Sequence, residues 1–137
     1  MKRKIASLTL FILVLSLNAF AADTSFQAAC SNATLKGAYG IYRSGTTPDG
    51  PIASVGIVVY DGNGQLKSRQ KTSLNGVHSS SVLTLDYKVA NDCTYKALSG
   101  NTEFATGVVV DNGNRIFLLS KAPGTTSYSV LEKIHSD

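Results

Sequence analysis

Residues 51–74 read PIASVGIVVYDGNGQLKSRQKTSL, two β-rich runs joined by Asp61-Gly62-Asn63-Gly64. Aspartate, asparagine and glycine tolerate the positive φ angles that tight β-hairpin turns require. Along the second run every second side chain is basic, which is the period-2 pattern of a strand with one face in water. The basic stripe consists of Lys67, Arg69 and Lys71. The stretch therefore predicts an antiparallel hairpin.

The same alternation of short β-rich runs and turn residues continues along the chain, and no stretch after residue 30 has helical periodicity. The predicted strands are 34–43, 51–60, 65–74, 82–89, 93–98, 103–110, 115–120 and 125–134. Segments 44–50 and 77–81 are predicted to be loops. Eight strands with short connections predict an all-β fold, an eight-stranded antiparallel up-and-down barrel. Basic residues in mid-strand disfavour an outer-membrane barrel, which presents an apolar band outward.

Alternation also predicts which side chains face the barrel interior. The expected inward sets, in chain order, are Leu35, Gly37, Tyr39 and Ile41; Ala53, Val55, Ile57 and Val59; Leu66, Ser68, Gln70, Thr72 and Leu74; Leu83, Leu85, Tyr87 and Val89; Phe104, Thr106, Val108 and Val110; and Tyr128, Val130, Glu132 and Ile134. For the last strand the opposite register, with Leu131 and Lys133 inward, is an open alternative.

Residues 1–21 have the three parts of a secretory signal peptide: basic residues at 2–4, an apolar run over 5–17, and small residues before a cleavage point after Ala21. The run is too short and too often interrupted by polar residues for a membrane span. We expect export to the periplasm or the medium, a flexible segment 22–29 and one barrel domain, 30–137. Without residues 1–21 the net charge falls from +4 to +1. Neither a nucleic-acid partner nor stable membrane insertion is therefore expected.

Cys30 and Cys93 are the two cysteines of the chain. In an exported protein an even set of cysteines predicts a disulfide, here Cys30–Cys93. Lipid attachment at Cys30 is disfavoured, since Gln27 stands where such sites usually carry leucine. Two cysteines and two well-separated histidines offer no zinc spacing. No metal site and no cofactor is therefore predicted.

Three segments, 30–40 (CSNATLKGAYG), 55–64 (VGIVVYDGNG) and 87–94 (YKVANDCT), carry a resemblance to known proteins. Together they resemble a group of small secreted bacterial proteins of unassigned activity. Their barrel is similar to that of allene oxide cyclase, within the wider lipocalin-like, or calycin, architecture. The resemblance covers the chain from Cys30 to about Ile134. It implies a barrel with a central cavity for a small hydrophobic molecule, and it carries over no catalytic residue.

Chemistry-bearing side chains are few. His78 adjoins three serines, but no Gly-x-Ser-x-Gly elbow is present and no catalytic residue is predicted. Polar atoms among apolar walls are typical of ligand pockets, although a filled core with bonded hydroxyls is an alternative. The predicted ligand-binding residues are Tyr39, Ser68, Gln70, Thr72, Tyr87, Phe104 and Glu132.

The leading functional hypothesis is a secreted barrel that binds a small apolar molecule in its interior without transforming it. An alternative is an extracellular interaction or structural module that uses its outer face, namely the basic stripe and segment 44–50. A cyclase-like isomerase is a third hypothesis, which rests only on the resemblance in fold.

Overall fold

The structure, a computed structural model, describes residues 29–135; the predicted signal peptide and residues 22–28 lie outside this range. Within it, eight strands form a closed barrel in chain order, each antiparallel to its neighbours. The strands are β1 Lys36–Thr47, β2 Gly50–Asp61, β3 Gln65–Leu74, β4 Val77–Val89, β5 Thr94–Ser99, β6 Thr102–Val110, β7 Arg115–Ser120 and β8 Thr126–Lys133. Two 3-10 turns, Asn32–Thr34 and Asp111–Gly113, accompany them. The predicted all-β, eight-stranded antiparallel barrel is confirmed.

Segment 44–50 is a tight hairpin, so the prediction of a loop there was wrong. β1 continues to Thr47 and pairs with Gly50 at the start of β2. The Thr47 hydroxyl accepts the N–H of Asp49 at 3.2 Å and donates to the carbonyl of Gly50 at 3.0 Å. Threonine can close a turn through its own hydroxyl, and this lets the strands extend up to the turn.

Segment 77–81 is also strand rather than loop, because Asn75 and Gly76 both adopt positive φ in the turn before it. Such a turn starts β4 at once and pairs it with β3 from Leu74↔Val77 onward. On its other side β4 pairs with β5 only over residues 86–89. The barrel wall is therefore interrupted beside residues 77–85 of β4.

The N-terminal segment seals one end of the barrel. The predicted Cys30–Cys93 disulfide is confirmed and joins this segment to the β4–β5 turn, with Cα atoms 5.0 Å apart. The side-chain oxygen of Asn32 accepts the N–H of Val89 at 2.8 Å, and the Tyr87 hydroxyl donates to the Asn32 carbonyl at 2.8 Å. Leu35 lies below this plug with no exposed surface. We call this the closed end.

The interior of the closed half is an aromatic core built on Tyr60. The Tyr60 ring meets Tyr39 and Tyr87 edge to face, with centroids 5.2 and 4.9 Å apart. Such contacts stabilise aromatic pairs beyond the area that they bury. Leu66 and Val89 are buried around them. The predicted inward faces of β1, β3 and β4 are confirmed here.

The predicted inward face of β2 is wrong. Ser54, Val58 and Tyr60 are buried, whereas Val55 is 60% exposed and Ile57 and Val59 are also exposed. The register explains the difference, because Val55 pairs with Lys71 and directly paired residues point to the same face of a sheet. Both faces of β2 are largely apolar, so alternation within the strand does not reveal its orientation.

The predicted inward faces of β6 and β8 are wrong as well. On β6, Ala105 and Val109 are buried, whereas Val108 is exposed. The cause is a shift in the pairing with β5: Ala97 pairs with Ala105, but the next β5 residue pairs with Glu103. The skipped residue, Phe104, forms a bulge that reverses the alternation. On β8, the inward residues are Ser127, Ser129 and Leu131, so the alternative register is the one adopted.

Candidate functional site

A cavity of about 130 Å³ lies in the half of the barrel away from the closed end. Its floor is formed by Tyr60 and Tyr95, the upper members of the aromatic core. Its rim includes Phe104, which is 42% exposed, and Leu119, which is 60% exposed. The cavity therefore has a closed aromatic bottom and an open top.

One wall of the cavity is polar and spans four strands, β8, β1, β2 and β3. Ser129 pairs with Arg43, Arg43 with Ser54, and Ser54 with Thr72, so the four side chains form one lateral row. The hydroxyls of Ser54 and Thr72 lie 2.8 Å apart in a hydrogen bond. We call this set the polar row.

A second polar pair lies beside the polar row on β3. The amide of Gln70 donates a hydrogen bond to the Ser68 hydroxyl at 2.8 Å. Both side chains line the cavity, and Ser68 is buried. Their mutual bond uses one of the two N–H donors of the Gln70 amide, and the amide oxygen can still accept a hydrogen bond.

The opposite wall, from β4 to β7, is mainly apolar. Its lining side chains include Leu85, Ala97, Ala105 and Leu118, together with Phe104 at the rim. The interruption between β4 and β5 lies next to Leu83 and Leu85. The cavity is therefore two-sided, with hydrogen-bonding groups facing hydrocarbon.

The two phenols of the floor bond to each other, with hydroxyl oxygens 3.1 Å apart. Burial raises the pKa of Tyr60 well above its ordinary value, and the neighbouring tyrosines raise it further. Burial likewise raises the pKa of Tyr95. Both groups therefore stay neutral across the physiological range and serve as hydrogen-bonding groups rather than as bases.

Stability should fall at alkaline pH because of this floor. The folded pKa values of Tyr60 and Tyr95 exceed the unfolded value of about 10, so the native barrel keeps protons that the unfolded chain releases. The free energy of unfolding should be unaffected by these groups below pH 10. It should fall above that pH by up to about 1.4 kcal/mol per pH unit for each phenol. Urea unfolding between pH 8 and 11.5 measures this dependence of the unfolding free energy on pH.

The variant Tyr60→Phe should weaken this alkaline loss, since one of the two phenols of the floor is gone. Tyr42→Phe on the exposed outer face of β1 is the matched control. An unfolding free energy that shows the same alkaline slope in wild type and Tyr60→Phe would contradict the assignment.

The structure brings together four of the seven predicted ligand-binding residues, Ser68, Gln70, Thr72 and Phe104, on the cavity surface. Tyr39 and Tyr87 lie in the closed half. The Tyr39 hydroxyl donates to the Gly113 carbonyl at 2.6 Å, and the Tyr87 hydroxyl donates to plug carbonyls. Tyr87 thus ties β4 to the plug, and Tyr39 ties β1 to the turn between β6 and β7.

Glu132 lies on the outer face, so its predicted inward orientation was wrong. Its carboxylate pairs with Arg115 at 2.9 Å, and both side chains are well exposed. The cause is the register of β8, in which Leu131 rather than Glu132 points inward.

Sequence reasoning missed Arg43, Ser54 and Ser129. The signal for Arg43 was present, because one further step of the β1 alternation from Tyr39 and Ile41 reaches it. The turn after β2 offered a signal for Ser54: Tyr60 pairs across it with Leu66, which places the even-numbered residues of β2 inside. Ser129 required the closure of β8 onto β1, which no local pattern specifies.

The outer face carries the predicted basic stripe, and Lys67, Arg69 and Lys71 are indeed exposed. It also carries an apolar row of successive cross-strand partners. The row consists of Val108, Phe117, Val130, Tyr42 and Val55. His78 is exposed near the start of β4. The outer face, on which the alternative hypothesis rests, thus presents apolar as well as basic side chains.

Among residues 29–135, no three His, Cys, Asp or Glu side chains are grouped so that they could hold a metal ion. The same part of the chain has no helix of sufficient length and hydropathy to cross a bilayer. Comparisons with protein-family models, curated proteins and solved structures found no match.

Proposed function

We propose that this protein binds a small, largely apolar molecule in the barrel cavity and does not transform it. The observation that carries the proposal is the two-sided lining, in which the polar row faces the apolar wall of β4 to β7. Ligand pockets characteristically combine apolar walls with a few polar groups that orient the ligand. A filled core would have placed larger side chains where Ala97 and Ala105 stand.

The kinds of side chain that line the cavity support the binding of a ligand that is not chemically transformed. Among the described residues that line the cavity there is no histidine, carboxylate, cysteine or lysine. General acid–base catalysis works best with a group whose pKa lies near the operating pH. The two phenols have raised pKa values and are poorly suited to that role.

The volume of the cavity limits the ligand to about one ring. An engineered apolar cavity of about 150 Å³ holds a benzene molecule. The present cavity of about 130 Å³ is of that order. The interruption of the wall between β4 and β5, beside the partly exposed Leu83, supplies a lateral entrance as well as the open top.

We further propose that the protein acts outside the cytoplasm, as a member of the group of secreted barrels that its sequence resembles. The Cys30–Cys93 disulfide is compatible with an oxidising compartment. The apolar run after the basic N-terminus is the second support.

Filling the cavity should abolish binding. Ala105 is buried and faces the cavity, so the ring of Ala105→Phe, or the smaller side chain of Ala105→Leu, would occupy the ligand's space. Benzyl alcohol, a neutral single-ring probe, should shift the backbone amide resonances of cavity strands in wild type. The affinity should fall at least about tenfold in either variant, since steric exclusion removes the apolar contacts.

Val108→Phe is the matched control, because Val108 lies on the same strand and points outward. It should bind benzyl alcohol as wild type does. Native mass spectrometry and solvent extraction of the purified protein would show whether a molecule co-purifies. The proposal fails if wild type binds no single-ring probe, or if Ala105→Phe folds and binds as well as wild type.

A further inference from the structure

Arg43 places a positive charge at the cavity surface. It is half-buried on the inward face of β1, in the middle of the polar row between Ser129 and Ser54. Its Nε donates a hydrogen bond to the hydroxyl of Ser127 at 3.0 Å. This bond fixes the near side of the guanidinium.

The guanidinium has no acidic partner within residues 29–135. The two ion pairs in this part of the chain, Lys96–Glu103 and Arg115–Glu132, lie on the outer face. No Asp or Glu among these residues lines the cavity. An arginine carries five N–H donors, and Ser127 accepts one of them. The other four have no acceptor among the described protein atoms.

Burial lowers the pKa of Arg43, but an arginine remains charged in proteins at every physiological pH. A partly desolvated cation without a counter-charge favours an anion beside it. The planar fork of the guanidinium matches the two oxygens of a carboxylate. The free donors of Arg43 therefore indicate the chemistry of a ligand's polar end.

The apolar wall and the volume of the cavity indicate the size and polarity of the rest of the ligand. Leu85, Ala105 and Leu118 offer hydrocarbon opposite Arg43, which suits a compact apolar body. A cavity of about 130 Å³ has room for roughly one ring and is too small for a long acyl chain. The hydroxyls of Ser54 and Thr72 lie beside Arg43. One of their two protons is used in their mutual hydrogen bond, and the other can be donated to the same anionic group.

We propose that the cavity recognises a small monocarboxylate with a compact apolar body, such as an aromatic acid. The carboxylate binds Arg43, and the body packs against the wall from β4 to β7. This inference rests on the proposed function and deepens it by naming the ligand class. It makes Arg43 the residue that selects the anion over neutral molecules of the same shape.

The test compares benzoate with benzyl alcohol, which share a ring and differ in charge. Wild type should bind benzoate at least about tenfold more tightly, a difference of about 1.4 kcal/mol. Arg43→Gln should remove this preference, so that the variant binds benzoate and benzyl alcohol with similar affinities. Arg43→Lys should keep part of it, because lysine retains the charge without the planar fork. Isothermal calorimetry or amide chemical shifts supply the affinities.

Arg69→Gln is the matched control, since it removes the same charge from the exposed outer face of β3. It should bind both probes as wild type does. Equal binding of both probes by wild type overturns the inference and leaves the proposed function standing, whereas binding of neither probe overturns both. Equal losses of benzoate affinity in Arg43→Gln and Arg69→Gln, or displacement of benzoate by equimolar inorganic phosphate, would also overturn it. The wild-type comparison decides the matter even if a variant fails to fold.

Discussion

Replacing both cysteines with serine should lower the free energy of unfolding by about 4 kcal/mol, the largest single effect that we expect. The Cys30–Cys93 bridge spans a sequence separation of 63 residues, and closing a loop of that length restricts the unfolded chain by about this amount in the chain-entropy model. The bridge also holds the plug on the closed end, where Leu35 has no exposed surface. Urea unfolding of the Cys30→Ser/Cys93→Ser variant measures the change.

Wild type that has been reduced with dithiothreitol is the control, because it loses the same link without any substitution. It should unfold at nearly the same urea concentration as the double variant. The folded fraction should still bind benzyl alcohol, since the cavity lies in the other half of the barrel. A loss below about 1 kcal/mol would show that the plug is held mainly by the hydrogen bonds of Asn32 and Tyr87.

Gly107→Ala should destabilise the barrel by about 3 kcal/mol or more. Gly107 faces inward on β6, and a Cβ atom there would overlap the carbonyl oxygen of Phe117 on the paired strand β7. It would also lie 2.7 Å from Cδ2 of Leu118. The carbonyl belongs to the β6–β7 ladder and cannot retreat without breaking it, so the overlap is relieved only by separating strands.

Gly40→Ala on β1 is the matched control. A Cβ at Gly40 would meet no atom closer than the Glu132 carbonyl oxygen at 4.0 Å, which is ordinary contact. Its unfolding free energy should stay within about 0.5 kcal/mol of wild type. Thermal and urea unfolding of the pair measure the difference. Similar stabilities for Gly107→Ala and Gly40→Ala would show that β6 and β7 can separate locally without loss.

Gly107 and Gly56 occupy equivalent roles, because a Cβ at Gly56 would overlap the carbonyl oxygen of Arg69 on β3. At both positions the backbone of the neighbouring strand comes close to the glycine. Closed barrels commonly need such glycine kinks to turn their corners. The sequence contained both glycines, but only the curvature of the closed sheet shows why a side chain is excluded.

Local chemistry made several features predictable. Glycine, asparagine and aspartate mark the turns, and eight period-2 runs between them specify an antiparallel meander. The basic stripe identified the outward face of β3, and therefore the inward positions of Ser68, Gln70 and Thr72. The two cysteines were sufficient to name the disulfide. Each of these inferences depends on residues that are close in sequence or, for the disulfide, on the fact that two cysteines can pair in only one way.

The faces of β2, β6 and β8 could not be obtained in the same way. Apolar residues occupy both sides of β2, so its period-2 pattern is ambiguous; its orientation follows from its register with β3. On β6 the bulge at Phe104 inverts the alternation within the strand. On β8, the pairing of Glu132 with Arg115 on the outside determines which side chains remain inside.

The all-β class, the number and order of the strands and the covalent link could be predicted, because these features depend on local turn and strand chemistry. It took the folded barrel to reveal that the interior has a closed aromatic half and an open cavity. The same is true of Arg43, which lies at the polar wall of the cavity without an acidic partner among the described residues. Cavity walls are assembled across strands. Their composition depends on registers set by closure of the whole sheet, which no single segment contains.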